Sequence, residues 1–315
     1  METRMKIIID TDPGVDDAFA LCYASRCPEL DIQGITTTYG NNYIGQTTDN
    51  ACFLRDLFGI RTEVWQGSSR PLYAPLLPPG TTHGRNGLGD AFDVTAGTPA
   101  GNAVDFIINT VKKYPGEITL VTLGPLTNLA TAINQSPEIV SLIKQVVMMG
   151  GAFGHNGHQG NITPVAEYNI YCDPHAADLV FREALPLTIV GLDVTEEVIV
   201  RRDELKEETG KSHIIALRQM ADCYLDFSRQ HEHIDGMRVH DALTVSWLLK
   251  PEAFTVTHAP VRAVCDGSLA FGQTIYQVTT NGRDIQGWSG NKKHSICTGV
   301  DADAVKQHFL ERIYN

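Results

Sequence analysis

Short apolar runs rich in valine, isoleucine and threonine alternate with longer stretches of helical period, and this alternation limits the possible folds more than any other feature. Six runs are expected to form strands: residues 6–10, 31–38, 62–66, 117–122, 145–149 and 187–191. Five helices are expected between them: residues 15–25, 46–57, 103–113, 126–133 and 174–183. Several runs are apolar on consecutive residues, as in a sheet covered by helices on both faces. The pattern predicts an α/β fold with a mostly parallel, doubly wound sheet flanked by helices.

The second half of the chain has a different pattern. After Asp193 the sequence becomes more helical and more charged through residues 201–224, and a strand-rich stretch follows around residues 254–278. No proline-rich or serine-rich linker, charge block or internal repeat separates the halves. At 315 residues the chain is just past the length at which single cores begin to split. We therefore expect one domain over residues 1–315, with insertions.

The charge balance argues against nucleic acid and membrane partners. The chain has 37 acidic and 25 basic residues and a net charge of -12, and a surface of that sign repels phosphate backbones and anionic lipids. No run reaches the roughly 18 apolar residues of a spanning helix, and the first residues lack a signal-peptide pattern. The seven cysteines are scattered and include no C-x-x-C pair, which fits free thiols in a reducing compartment. We expect a cytoplasmic protein.

Four aspartates, Asp10, Asp12, Asp16 and Asp17, follow the first predicted strand and lead into a predicted helix. This places them at the carboxyl end of a parallel strand, where open α/β sheets bind ligands. Carboxylates this close repel one another unless a cation pairs with them. Because all the candidate ligands are oxygens, the cluster indicates a hard ion such as Ca²⁺ or Mg²⁺. Alternatively, Asp12, Asp16 and Asp17 only cap the helix, whose N-terminus favours acidic side chains.

A phosphatase is a second interpretation of the same segment. Phosphohydrolases of the haloacid dehalogenase type also begin with Asp-x-Asp after a first strand, so either Asp10 or Asp12 is a candidate nucleophile. That pattern needs threonine or valine four residues after the first aspartate, whereas this chain has Gly14 there. The mismatch weakens the phosphatase interpretation.

The segment 10–18, Asp-Thr-Asp-Pro-Gly-Val-Asp-Asp-Ala, resembles the N-terminal signature of the inosine-uridine-preferring nucleoside hydrolases. Similar blocks follow in the family's order over nearly the whole chain: residues 35–41, 83–84, 124–128, 148–151, 166–169, 173–174, 191–193 and 239–241. The resemblance implies an α/β fold around a mostly parallel sheet and one bound Ca²⁺. It also implies hydrolysis of the N-glycosidic bond of purine or pyrimidine ribonucleosides to free base and ribose.

The resemblance assigns roles to individual residues. It implies that the carboxylates of Asp12, Asp17 and Asp241 and the main-chain carbonyl of Leu123 hold Ca²⁺, although the family often has another residue at the leucine position. Asp12 is also implied as the general base that takes a proton from the attacking water. Substrate-binding side chains are expected at these positions: Asp16, Asn41, His83, Asn161, Glu167, Asn169 and His240. We further expect His240 to donate a proton to the departing base, because histidine titrates near neutral pH.

The sequence does not assign a firm role to two segments that contain histidines. His231 and His233 lie where family members place base-contacting residues, but the tyrosine that some members carry there is missing. Residues 154–160 combine two histidines with flanking glycines, and we expect a flap that closes over the site.

The partner and the class of protein follow from the same resemblance. The family forms dimers and tetramers, so we expect a homotetramer or a homodimer acting on a ribonucleoside substrate. A non-catalytic nucleoside- or ribose-binding protein remains the alternative to an enzyme.

Overall fold

The structure, a computed structural model, describes residues 4–205, 210–278, 287–288 and 290–315. The strands are β1 (Met5–Thr11), β2 (Leu30–Thr37), β3 (Val64–Gln66), β4 (Thr119–Thr122), β5 (Gln145–Met149), β6 (Leu187–Val190), β7 (Ile199–Val200), β8 (Met237–Arg238), β9 (Phe254–Ala263), β10 (Thr274–Tyr276) and β11 (Lys293–Val300). The α-helices are α1 (Val15–Ser25), α2 (Ile44–Phe58), α3 (Ala103–Lys113), α4 (Thr127–Gln135), α5 (Tyr168–Cys172), α6 (Pro174–Arg182), α7 (Leu192–Thr195), α8 (Ser212–Phe227), α9 (Ala242–Leu249) and α10 (Ala302–Tyr314).

Nine of these strands form one sheet in the order β10-β9-β11-β6-β5-β4-β1-β2-β3. The seven strands from β11 to β3 are parallel to their neighbours, while β9 and β10 extend the sheet with antiparallel pairs. Strands β7 and β8 pair separately, also antiparallel. The predicted mostly parallel sheet with helices on both faces is confirmed.

The consecutive apolar residues of β1 are explained by two hydrophobic cores, one on each face of the sheet. Ile7 and Ile9 belong to the core formed with α1, α2, α8, α9 and α10, whereas Ile8 belongs to the core formed with α3, α4 and α6. Successive side chains of a strand point to opposite faces, so all three isoleucines are buried. Because both faces are covered, β1 shows no alternation of polar and apolar residues.

The strands and helices predicted in the first half of the chain match the structure to within a few residues, and the helical and strand-rich stretches predicted after Asp193 contain most of α8 and the whole of β9 and β10. The predicted strand 62–66 begins two residues later, at Val64, and the predicted helix 46–57 begins earlier, at Ile44. Strand β11 was not predicted, yet it lies between β6 and β9 in the main sheet. Because strands from both ends of the chain share one sheet, no boundary is visible between the halves; the domain count stays a prediction. Within the described ranges, no helix is both long and apolar enough to cross a membrane.

The C-terminal helix α10 packs on α1, the helix that begins with the aspartate segment. The ring of Phe309 contacts Tyr23 edge-on, with 5.3 Å between ring centroids, and the Tyr23 hydroxyl and His308 Nδ1 share a hydrogen bond of 2.6 Å. Helix α10 therefore stabilises the position of α1 behind the aspartates.

The carboxyl ends of β1, β2, β4 and β5 lie along one edge of the sheet, because these strands are parallel neighbours. Asp10, near the end of β1, pairs in register with Thr36 of β2 and Thr122 of β4. The loops that carry the candidate site residues start from this edge. Parallel topology thus brings together segments that are far apart in sequence.

Asn128 ties this edge together at the start of α4. Its amide nitrogen donates to Asp10 Oδ1 at 2.7 Å and to the Thr37 carbonyl at 2.9 Å, and its oxygen accepts from the Ser68 amide at 2.8 Å. Asn128 is fully buried. Its side chain therefore links β1, β2 and the segment after β3 around Asp10.

Replacing this residue tests the link. The substitution Asn128→Ala removes one of the two hydrogen bonds to Asp10 Oδ1 and the side-chain hydrogen bonds to the Thr37 carbonyl and the Ser68 amide, so we expect it to lower the free energy of unfolding by about 2–4 kcal/mol. The matched control Asn134→Ala changes an exposed residue of the same helix and should cost less than about 0.5 kcal/mol. Urea unfolding measures both, and equal effects of the two substitutions would contradict a supporting role for Asn128.

Candidate active site

A cavity of about 400 Å³ opens at the carboxyl edge of the sheet. Its lining includes most of the site residues predicted from the sequence: Asp16, Asn41, His83, Leu123, Asn161, Glu167, Asn169, His240 and Asp241. Asp12 and Asp17 do not line the cavity and are fully buried. The fold therefore gathers the predicted residues from six separate segments of the chain into one site.

Three aspartates form a tight acidic triad in this site. One carboxylate oxygen each from Asp16, Asp17 and Asp241 lie within 4.8 Å of one another, and all three residues are buried. The sequence analysis placed Asp12 in this set and gave Asp16 to the substrate, so the geometry differs in one member. The ligand role of Asp12 and of the Leu123 carbonyl stays a prediction.

Asp12 sits beside the triad, in a space that two glycines leave open. Its Oδ2 accepts the backbone N–H of Asn41 at 2.7 Å, while Oδ1 is buried without a partner among the described residues. A side chain on Gly40 or Gly124 would overlap the Asp12 carboxylate. The two glycines after β2 and β4 are therefore needed for this aspartate to fit.

Asp17 caps the helix that it begins. It is the third residue of α1, and its Oδ2 accepts the N–H of Gly14 at 2.9 Å and the side-chain amide of Asn41 at 3.1 Å. Its Oδ1 accepts from the Thr11 hydroxyl. The capping alternative therefore describes Asp17 correctly, but it does not account for Asp12, Asp16 and Asp241.

Burial raises the pKa of every carboxyl group in the cluster. It raises the pKa of Asp16 to about 7 and, together with the charge of Asp16, the pKa of Asp17 to about 6. The pKa values of Asp12 and Asp241 lie well above their ordinary values, first because of burial and then because of the neighbouring aspartates. A cluster with these properties favours a cation, since a positive charge removes the repulsion between the carboxylates.

Three residues after β5 contribute polar side chains to the lining of the cavity. Glu167 caps α5, because its carboxylate accepts the N–H groups of Gly151, Asn169 and Ile170 at 2.8–3.1 Å. Asn169 donates its side-chain amide to the Leu123 carbonyl at 2.7 Å. Asn161 accepts the N–H of Tyr168 at 2.9 Å, as an asparagine does in a local turn. These residues therefore support each other as well as facing the cavity.

Two histidines also line the cavity, and burial lowers the pKa of both. His83 Nδ1 accepts the N–H of Val15 at 3.1 Å, and burial lowers the pKa of His83 to about 4. His240 Nδ1 shares a hydrogen bond of 2.7 Å with the Thr195 hydroxyl. Burial, and then the positive charge of Arg238, lower the pKa of His240 to about 3. The sequence analysis assumed a near-neutral pKa for His240; in the folded chain its imidazole is uncharged at pH 7.

Several residues of the cavity wall were not predicted from the sequence. They are Gly80, Thr82, Met149, Ile162, Tyr168, Glu196, Tyr224, Phe227, Glu232 and Arg238. Tyr224 and Phe227 lie three residues apart on α8, so helical spacing could have placed them on one face. Arg238 precedes His240 by two residues, and the spacing of a strand gives such residues the same side. Without a known neighbour for α8 and β8, neither spacing pointed to the site.

The two remaining histidines of the region differ. His231 lines the cavity, and its ring lies 4.7 Å from that of Phe227. His233 is exposed outside the cavity lining and ends the helical turn after α8 with a positive φ of 59°. Only His231 is therefore placed to meet a substrate.

The glycine-rich segment 154–160 is tied down at several points. The Asp193 carboxylate accepts the N–H of His155 at 2.7 Å, and the Asn156 amide donates to the Asp193 and Thr298 carbonyls. His158 contacts Glu196 and Glu197 through its two ring nitrogens. The flap role stays a prediction, and any opening has to break these contacts.

Comparison with known proteins agrees with this site. The family model "Inosine-uridine preferring nucleoside hydrolase" matches residues 7–307. A probable uridine nucleosidase of Oryza sativa subsp. japonica is 36% identical over 311 residues, which cover 96% of this chain and 94% of the relative. The plant nucleoside hydrolase PpNRh1 superposes with a TM-score of 0.93 at 34% identity, covering 99% of both chains. A purine-preferring ribonucleoside hydrolase from Gardnerella vaginalis superposes with a TM-score of 0.88 at 33% identity, covering 98% of both chains.

The match spans nearly the whole chain, and the blocks that match include the aspartate segment and the residues around Asp241. The chain therefore belongs to the inosine-uridine preferring nucleoside hydrolase family, whose members are N-ribosyl hydrolases.

Proposed function

We propose that this chain hydrolyses the N-glycosidic bond of ribonucleosides with the help of a Ca²⁺ ion, releasing ribose and a free purine or pyrimidine base. The observation that carries this proposal is the buried acidic triad at the floor of a cavity that also holds amides, carboxylates and histidines. The relatives support both classes of base, since one is a probable uridine nucleosidase and another a purine-preferring hydrolase.

The donor atoms fit a calcium ion. The triad of Asp16, Asp17 and Asp241 offers only carboxylate oxygens, and hard cations such as Ca²⁺ prefer these ligands. Asp16 Oδ1 and the neighbouring Asp12 Oδ1 are buried without a hydrogen-bond partner among the residues described. Buried acceptors of this kind need a donor or a cation. When bound, Ca²⁺ lowers the pKa of a coordinated water and attracts ribose hydroxyls.

Asp12 is suited to remove a proton from the attacking water. Its Oδ1 has no hydrogen-bond partner in the described chain, whereas the N–H of Asn41 fixes Oδ2 and so the orientation of the carboxylate. A carboxylate held in this way is a general base. The water oxygen then bonds to C1′ of the ribose while the bond from C1′ to the base breaks.

Five polar residues of the cavity lining, called the polar wall below, are suited to hold the ribose. Asp16, Asn41, Asn161, Glu167 and Asn169 all line the cavity and carry oxygens or amides that match the hydroxyls of a sugar. Asn41 is fixed by a hydrogen bond to the Asp17 carboxylate, and Asn161, Glu167 and Asn169 by hydrogen bonds to backbone groups, so little freedom is lost when a substrate binds. We propose that this wall orients C1′ towards Asp12.

His240 assists the base as an uncharged imidazole. A group with a pKa near 3 is not protonated at pH 7, so it can donate a hydrogen bond to the base but holds no excess proton to transfer. We propose that the proton accepted by Asp12 reaches the base later in the reaction, through solvent or the cavity groups.

The surroundings of Asp10 argue against this residue as the nucleophile of a phosphatase. Asp10 lies outside the cavity lining, and its Oδ1 accepts from Thr36 and Asn128 at 2.5 and 2.7 Å. Two donors therefore already hold Asp10 Oδ1 in the packing of β1, β2 and α4, whereas Asp12 Oδ1 has no such partner in the described chain. The non-catalytic alternative is tested together with the proposed function below.

The substitution Asp12→Asn tests the base directly. It keeps the size of the side chain and removes the proton acceptor, so we expect kcat for ribose release from inosine and uridine to fall by about 10²–10⁴-fold. Reducing-sugar assays measure the rates, and calorimetry with inosine measures whether substrate still binds.

The control variant is Asp105→Asn, which changes an exposed aspartate at the start of α3 and should keep full activity. Tight binding of inosine by the unaltered protein without any ribose release would instead support a nucleoside-binding protein.

The raised pKa values of Asp16 and Asp17 predict how pH affects the metal-free protein. Between about pH 4, where unfolded aspartates titrate, and pH 6–7, where these two titrate in the folded chain, the folded state binds more protons. The free energy of unfolding therefore falls as pH rises through this window. We expect chelated protein to melt at a lower temperature at pH 8 than at pH 5.5.

Added Ca²⁺ should reverse this trend, because it binds the ionised carboxylates and so stabilises the folded chain more at pH 8 than at pH 5.5. Scanning calorimetry at both pH values, with and without Ca²⁺, makes the comparison. A Ca²⁺ effect that is the same at both pH values would contradict the proposed role of the triad.

A further inference from the structure

One ion pair in the cavity wall has no role in the mechanism described so far. Arg238 Nη1 lies 2.8 Å from Glu232 Oε2, and both residues line the cavity. Arg238 is the one lysine or arginine in the described lining, and its side chain is 15% exposed. A permanent positive charge is therefore held in the wall of a site that is otherwise acidic.

The pair comes from a different part of the chain than the residues that we propose hold the ribose. Arg238 lies in β8, two residues before His240, and Glu232 follows His231 at the end of the turn after α8. The polar wall and the triad come from the loops after β1, β2 and β5 and from Asp241. If that wall holds the ribose, the base is left to meet Tyr224, Phe227 and this pair, which line the same cavity.

Each member of the pair has a hydrogen-bonding atom that the ion pair does not use. Arg238 Nε is buried and donates to no described residue. Glu232 uses Oε2 for the arginine, which leaves Oε1 able to accept another N–H. A guanidinium donates only, and a carboxylate accepts only. Together they form a donor next to an acceptor, fixed side by side by their own ion pair.

This arrangement matches one kind of base edge. Uracil, hypoxanthine and guanine carry a keto oxygen next to a ring N–H, so the guanidinium donates to the oxygen while the carboxylate accepts from the N–H. Arginine pairs with a keto oxygen in the same way when proteins recognise guanine. Cytosine and adenine carry an amino group in place of that oxygen, and its N–H donors would face the donors of Arg238.

We propose that Arg238, positioned by Glu232, binds the keto oxygen of the base and stabilises the negative charge that develops on the base as it departs. When the bond from C1′ to the base nitrogen breaks, its electron pair stays on the base and spreads to the keto oxygen, while the ring N–H towards Glu232 is kept. The water supplies hydroxide to C1′ and its proton finally neutralises the base. This role depends on the proposed nucleoside hydrolysis and names its leaving-group residue.

The substitution Arg238→Gln tests the proposal by substrate selectivity. We expect it to lower kcat/KM for uridine and inosine by about 10–100-fold, because the charged contact to the keto oxygen is lost. The losses for cytidine and adenosine should be at most about threefold. The loss for p-nitrophenyl riboside should be equally small, because p-nitrophenolate is a stable anion that needs little help to leave.

Three further variants separate this role from a structural one. Arg229→Gln removes a positive charge from the same turn at an exposed position outside the lining, and it should leave every rate unchanged. Arg238→Lys keeps the charge without the planar fork, so it should recover only part of the uridine rate. Glu232→Gln should reduce the ratio of uridine to cytidine turnover while leaving p-nitrophenyl riboside unchanged.

Equal losses of Arg238→Gln on all five substrates, or no loss on any, would overturn the proposal. If the unaltered protein hydrolyses none of them, the proposed function fails, and calorimetric titration with uracil and cytosine then decides the role of the pair. Uracil binding that Arg238→Gln weakens at least tenfold and Arg229→Gln leaves intact supports base recognition by Arg238. Uracil binding equal in both variants refutes it.

Discussion

The burial of several carboxylates at the end of the central strand is the constraint on which the rest of this structure depends. Asp12, Asp16, Asp17 and Asp241 are almost fully buried, although carboxylates close together in a poorly hydrated site raise each other's pKa and oppose ionisation. The surrounding chain compensates in part with N–H donors from Gly14 and Asn41. Asp12 Oδ1 and Asp16 Oδ1 have no hydrogen-bond partner in the described chain, and we propose that a cation completes the site.

The sheet makes this concentration of charge possible. In a parallel sheet the loops after neighbouring strands meet at one edge, and here the loops after β1, β2, β4 and β5 surround the acidic cluster. Two apolar cores hold the strands from both faces, and buried polar residues such as Asn128 connect the loops directly above them. A rigid scaffold of this kind holds the polar side chains of the site in fixed positions.

Local sequence patterns predicted the elements whose signals are local, and family resemblance predicted site residues that are distant in sequence. Apart from the short helix α5, the strands and helices up to residue 191 follow from apolar runs and helical period, and the aspartate segment follows from its position after β1. Strand β11 escaped prediction because a strand inserted between β6 and β9 has no local signal of its partners. Arg238 and Tyr224 were missed for the same reason, since only the packing of α8 and β8 against the site gives them a function. The acid role of His240 was inferred from the ordinary pKa of histidine, which burial changes.

The most direct test of this account is ribose release from uridine and 2′-deoxyuridine by one preparation, measured after exhaustive chelation and again after Ca²⁺ is restored. The account predicts release from uridine that disappears on chelation and returns with Ca²⁺, and little release from the deoxy substrate, which lacks a hydroxyl for the ion and the polar wall. Release that is unaffected by chelation, or equal for both substrates, would contradict a site built around a cation and the ribose hydroxyls.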